Sequence, residues 1–248
     1  MDDATVVATF VAYLRDNGYP GLSIESRPDL ENRKSPAIDA IAGSFAIEHT
    51  SIDTIENQRR DGIWFSHVAD PLEDQFKGTL PFRLRLVFPY TSIVKGQDWN
   101  AIREALAAWI SSQALGLLDG THNVAIPSVP FEFRVVKDSK RRPGLIFARI
   151  DPGDTTLATR VFGQLSRKAA KLRPHRAIGR TTVLLVDSSD MALMSHEAML
   201  DSIQLAFGSR MPEGVDQLWY ADTSIESELE FWDFTSALTR SSADQRAV

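Results

Sequence analysis

The run Thr182 to Val186, TVLLV, constrains the fold more than any other stretch of the chain. A continuous apolar strand segment belongs at the centre of a sheet, with helices covering both of its faces. Candidate covering helices are present. Val6, Val7, Phe10, Val11 and Leu14 recur at helical spacing over Ala4 to Asp16, and Asn17-Gly18 ends the pattern. Thr155 or Thr156 can cap a longer helix running to about Leu172, whose core face is Ala158, Val161, Phe162, Leu165, Ala169 and Leu172. The expected fold class is therefore α/β, a mixed sheet flanked by helices. It reads as one elaborated domain over residues 1–240 with a polar, frayed tail from 241.

The remaining elements follow from periodicity. Leu22 to Ile24 alternates into a short strand carrying Glu25, and Arg27 to Lys34 reads as a loop. A helix starts near Ile55, with Gln58 on its surface, and gives way to a loop. Phe82 to Phe88 alternates as a strand with Arg83 and Arg85 on one face. Asp98 caps a helix extending to Leu118, with Ile102, Leu106, Trp109 and Ile110 as its apolar stripe. Phe131–Val136 and Leu145–Ile150 read as a hairpin joined by a basic turn containing Lys140, Arg141 and Arg142. Ser195 to Phe207 is helical, Gln217 to Ala221 a strand, and Leu229 to Phe234 an edge strand.

One segment carries chemistry. From Ser35 to Asp53 two apolar runs, Ala37–Ala42 and Phe45–Ile47, are separated only by Gly43-Ser44, which predicts a tight hairpin. Asp39 lies inside the first run and Glu48 at the end of the second, followed by His49, Thr50 and Asp53. A carboxylate in an apolar strand is costly to bury unless it is paired or binds a cation. Two on adjacent strands could share a hard divalent metal. The plainer reading is an ordinary ion pair, with Arg33 or Arg59 as partner.

Composition removes competing chemistries. The chain of 248 residues has no cysteine, so thiolate metal sites and thiol nucleophiles are excluded. Its histidines show no zinc spacing, and the P-loop, GxGxxG and GxSxG patterns are absent. The net charge of −6 argues against a general polyanion binder and leaves local basic patches. One such patch is the helix end from Arg167 to Arg180, with Lys171, Arg173 and Arg176; it serves either the helix dipole or a nucleic acid. The acidic N-terminus and the lack of a long apolar run make a cytoplasmic protein without membrane association the expectation.

Asp39, a nine-residue spacing and Glu48-His49-Thr50 resemble the Asp…(Glu/Asp)-x-Lys pattern of the restriction-endonuclease-like, or PD-(D/E)XK, nuclease superfamily. The resemblance implies a core of helix, three antiparallel strands, helix and strand, with residues 53–154 as an insertion elaborating the sheet. It implies a Mg²⁺- or Mn²⁺-dependent nuclease acting on nucleic acid, with DNA foremost. Asp39 and Glu48 would hold the metal, with the His49 main-chain carbonyl and with Glu25 as an outer ligand. Thr50 departs from the pattern, because the family places lysine there. Lys168 or Lys171, beside the buried face of the 156–172 helix and in line with Arg160 and Gln164, is the candidate replacement. Arg167, Lys171, Arg173, Arg176, Lys140 and Arg141 would contact the nucleic acid. The alternatives are a silent member of the superfamily that binds nucleic acid or a protein partner, itself included, and an unrelated α/β protein without a metal.

Overall fold

The computed structural model describes residues 2–31, 37–150, 153–190, 194–208, 210–225 and 227–239. Arg33 and the tail from 241 lie outside them. The chain divides into two compact units, one made of residues 1–56 and 155–248 and the other of residues 57–154.

The first unit opens with helix α1 (Asp3–Asp16), capped by the Asp2 carboxylate, which accepts from the Thr5 N–H at 2.8 Å. Strand β1 (Ile24–Ser26) and the single-turn helix α2 (Pro28–Glu31) follow, so part of the expected loop is helical. Pro28 supplies the preset first-turn dihedral there. The hairpin forms from β2 (Ala40–Ala42) and β3 (Phe45–Ser51) with Ala42 opposite Phe45. Gly43 adopts φ +53° at the first turn position, as a two-residue hairpin of this kind requires. The strand bounds differ from expectation in a way that matters: Asp39 immediately precedes β2, while β3 continues past Ile47, so Glu48 sits in mid-strand. Parallel pairing with a third strand carries β3 onward.

That third strand belongs to the chain's return. After residues 57–154 the first unit resumes with helix α5 (Leu157–Ala177), strand β8 (Thr181–Ser188), helix α6 (His196–Phe207), strands β9 (Gln217–Asp222) and β10 (Glu230–Asp233), and helix α7 (Thr235–Thr239). The sheet order is β1-β2-β3-β8-β9-β10. Strands β3, β8 and β9 are parallel; β2 and β10 run antiparallel to their neighbours. TVLLV is central, as its apolar continuity demands, and residues Thr182 to Ser188 are all buried. One sheet face packs on α1 through Phe45, Ile47, Val183 and Leu185. The other packs on α5 and α6 through Ala46, Leu184, Val186, Leu165 and Met199. Helix α5 runs beyond Leu172 because Pro174 removes only one backbone donor near its end. Phe162, expected in its core face, is 51% exposed and rests on Phe207.

The second unit contains helix α3 (Gln58–Phe76), strand β4 (Arg83–Pro89), helix α4 (Trp99–Ser112), and strands β5 (Gly120–Val124), β6 (Phe133–Asp138) and β7 (Gly144–Ile150). Its four strands form a separate sheet, β5-β6-β4-β7, with α3 and α4 packed on one face. The inserted segment therefore elaborates no existing sheet; it builds its own. Strands β6 and β7 are not a hairpin. Both flank β4, antiparallel and parallel respectively, with Arg83 opposite Asp138 on one side and Gly144 on the other. The basic turn crosses the start of β4 and is tied there by Arg83 Nε donating to the Arg142 carbonyl at 2.9 Å. Inserting β4 gives that alternating strand a partner along both edges, which a simple hairpin would leave half unpaired. Asp98 caps α4 as expected, but the helix stops at Ser112 and a 3₁₀ turn follows over Ala114–Gly116.

Candidate functional site

Helix α5 lies against β3 so that polar side chains of the two elements pair in sequence. Arg160 donates to the carbonyls of Asp53 and Thr54 at 2.8 and 2.7 Å. One turn later Gln164 Nε2 donates to Thr50 Oγ1 at 2.7 Å. Further on, Lys168 Nζ and Lys171 Nζ both reach Glu48 Oε1, at 2.6 and 2.8 Å. The match is geometric. Two strand residues advance about 6.6 Å and four helical residues about 6 Å, so the two rows stay in register over this length. The line of Arg160, Gln164, Lys168 and Lys171 seen in the sequence is thus the polar border of the α5 packing face. Thr156 does not cap α5 through its side chain; its hydroxyl accepts from Arg160 Nε instead.

Glu48 is completely buried. Burial pushes its carboxyl above the ordinary glutamate range and the nearby Asp39 charge pushes the same way, while Lys168 and Lys171 oppose both. Its second oxygen, Oε2, has no hydrogen-bond partner among the described residues. Asp39 stands beside it, half-buried, and accepts from the His49 backbone N–H at 2.5 Å. Lys171 also donates to the Ala37 carbonyl at 3.0 Å, fastening the segment ahead of β2 to the helix. A hollow of about 800 Å³ opens here, lined by Ala37, Ile38, Arg167, Lys168, Ala170, Lys171, Pro174 and His175. It is basic. A second hollow of about 410 Å³ is bordered by Asp39, Asp2, Asp3, Asp29 and Arg27.

Other expected contributors are placed elsewhere. Glu25 is exposed on β1, and the His49 ring points to the opposite sheet face from Glu48, as strand alternation requires. Among the described residues no group of three or more His, Asp or Glu side chains is placed to hold a metal ion. Asp39 and Glu48 are thus brought together without Glu25 or an imidazole. The basic helix end is largely engaged in structure: Arg173 pairs with Glu213 at 2.8 Å, Arg176 with Asp216 at 3.0 Å, and Arg167 donates to Gln164. Lys140 and Arg141 belong to the second unit, where Arg141 pairs with Asp138 at 3.3 Å.

Asp187 is the residue that sequence reasoning passed over. It continues β8 directly after TVLLV, and an acid ending a buried central run was the available signal. Its Oδ1 lies 3.0 Å from His49 Nε2, and Thr223 donates to Oδ2 at 2.9 Å. Burial alone would raise the Asp187 carboxyl, but the His49 ring and the hydroxyls of Ser51 and Thr223 outweigh it and hold it below the usual aspartate range. The ring beside Asp187 belongs to the residue whose main-chain N–H donates to Asp39. No protein-family model, curated protein or solved structure matches the chain, so its function is argued from this geometry. No described helix is long and apolar enough to cross a membrane.

Proposed function

We propose that the chain is a divalent-metal-dependent phosphodiesterase acting on nucleic acid, with DNA as the first substrate to test. One observation carries the reading: two ammonium groups converge on one oxygen of a buried carboxylate whose other oxygen has no hydrogen-bond partner among the described residues, next to a second carboxylate. An unpartnered buried carboxylate oxygen is costly in an ordinary ion pair and useful in a metal site. The chain order α1, β1, β2, β3, α5, β8, with β1 to β3 antiparallel, agrees with the core that the restriction-endonuclease-like resemblance implies.

The donor set fits Mg²⁺ or Mn²⁺. Asp39 and Glu48 offer hard oxygens, and Mg²⁺ is commonly bound by only one or two carboxylates while keeping several waters. When bound, such an ion supplies Lewis acidity and lowers the pKa of a coordinated water. The chain's own residues do the rest. Lys168 and Lys171 bring positive charge to the spot where a scissile phosphate would gain negative charge, replacing the lysine missing at Thr50. Arg167 and His175 border the hollow by which the phosphate backbone would enter. The His49 N–H holds Asp39 in orientation, and the Asp187 carboxylate lies 3.0 Å from the His49 ring.

A silent nucleic-acid- or protein-binding module is the second reading. The same lysines favour it, because they already compensate the Glu48 charge without any metal. Labelled single- and double-stranded DNA and RNA, incubated with Mg²⁺, Mn²⁺ or chelator, separate the two. Metal-dependent cleavage that disappears in Glu48→Gln supports the enzyme. Binding without cleavage under every metal condition leaves the module.

A further inference from the structure

We propose that the open face of the second unit's sheet binds an unpaired nucleic-acid strand through its phosphates. Helices α3 and α4 cover one face of that sheet, burying Leu84, Leu86, Phe88, Val135 and Leu145. Alternation turns the intervening residues to the other face. There Arg85 stands between Val136 of β6 and Ile146 of β7. In the next row Val87 lies between Arg134 and Ala148, with Asn123 beyond Arg134.

Arg85 and Arg134 are exposed, and among the described residues neither takes part in an ion pair. The carboxylates on this face stand at its ends: Asp138 is engaged by Arg141, and Glu132 borders a hollow of about 190 Å³ together with Arg134 and Asn123. Charge distribution points the same way. Of the 27 Lys and Arg, thirteen lie in residues 57–154, against eleven of the 33 Asp and Glu; the rest of the chain has fourteen against twenty-two. An overall acidic protein thus keeps a slightly basic unit, with two exposed guanidinium groups on this sheet face, Arg85 and Arg134, that take part in no ion pair among the described residues.

The arrangement favours an unpaired strand over a duplex. Guanidinium groups take phosphate oxygens in bidentate fashion. Between them lie small apolar side chains, Val87, Val136, Ile146 and Ala148, at intermediate or low exposure. Such surface suits the base faces of a splayed strand, which a duplex keeps stacked inside. The site is separate from Glu48: a chain that binds through this face and cuts nothing still fulfils the inference.

The test is fluorescence anisotropy in chelator, so that no cleavage intervenes, using a labelled mixed-sequence strand of about 20 nucleotides and its duplex. Wild type should prefer the single strand. Arg85→Glu/Arg134→Glu should weaken single-strand binding at least about tenfold and reduce the salt slope by about 1.4, for two phosphates at about 0.7 each. Arg85→Lys/Arg134→Lys should retain most of the affinity, and both variants should melt like wild type because the side chains are exposed. Unchanged affinity in the Glu variant, a preference for duplex, or equal binding of heparin overturns the proposal.

Discussion

Lys168 Nζ lies 2.6 Å from Glu48 Oε1, across the gap between a helix and a strand 120 positions apart in sequence. Lys171 reaches the same oxygen at 2.8 Å and also holds the Ala37 carbonyl. The two lysines therefore differ in what they secure. Lys171→Ala should lower stability by about 1–3 kcal/mol, since it removes one of the two ammonium partners of Glu48 and also releases the backbone ahead of β2. Lys168→Ala should destabilise less and act on catalysis, reducing cleavage by about 10²–10³. Urea unfolding and single-turnover cleavage on both variants check the split; equal stability losses with intact cleavage would refute it. Placing lysine at Thr50, as in the pattern the chain resembles, carries its own cost, because Thr50 is 4% exposed and its hydroxyl is held by Gln164.

Mg²⁺ or Mn²⁺ should raise the melting temperature, because an ion that binds the folded state stabilises it by mass action. Glu48 must lose its proton first, and burial with the Asp39 charge keeps that proton on more strongly than usual. The metal-induced shift should therefore be larger at about pH 8 than at about pH 5. Asp39→Asn/Glu48→Gln should abolish it. A metal response that survives the double change shows that the ion binds elsewhere.

Asp187 and Glu48 should push acid stability in opposite directions. The folded Asp187 carboxyl is held below its ordinary 3.8, so its contribution is fully present above pH 3.8 and is lost as pH falls through the folded value. Glu48 is raised above 4.5, so its contribution is present below pH 4.5 and is lost as pH rises through the folded value. Asp187→Asn should thus be destabilised at neutral pH, with the gap to wild type closing below pH 3.8. Melting temperatures of both proteins from acid to neutral pH measure the gap, and a gap constant with pH removes the His49–Asp187 pair as its source.

In the second unit Lys137 is structural. Its ammonium donates to the carbonyls of Ala114, Leu115 and Leu117 at 3.1, 2.9 and 2.8 Å and sits 4.1 Å from the Phe82 ring centroid. Ala114 and Leu115 lie in the 3₁₀ turn that follows α4 and Leu117 directly succeeds it, and a cation there satisfies carbonyls that lack intrahelical donors. Lys137→Met keeps the apolar stem and deletes the donor, so it should cost about 1–3 kcal/mol in urea unfolding. An unchanged midpoint would mean that water replaces the ammonium without loss.

Much of the architecture was legible from periodicity. TVLLV announced a covered central strand, Gly43-Ser44 a two-residue hairpin and Asp98 a helix cap, and each stands where the pattern placed it. The helix line of Lys168 and Lys171 beside the buried stripe of α5 could also be read, because helical spacing is local information. What those lysines face could not. Strand pairing and helix docking join residues far apart in sequence, and periodicity carries no record of which distant edge a strand will find.

The errors are of that kind. β6 and β7 have the spacing of a hairpin, yet β4 lies between them, because a central place pairs both of its edges. Residues 53–154 were expected to elaborate the first sheet; instead residues 57–154 close a core of their own. Glu25 is an acid on the neighbouring strand that ends exposed, while Asp187, which the sequence shows only as following TVLLV, meets His49 because β8 runs parallel to β3 with His49 opposite Leu185. The sequence by itself determined the layers, the hairpin and the two acids. Tertiary structure alone decided which charges meet, because only packing removes water from Glu48 and makes its partners matter.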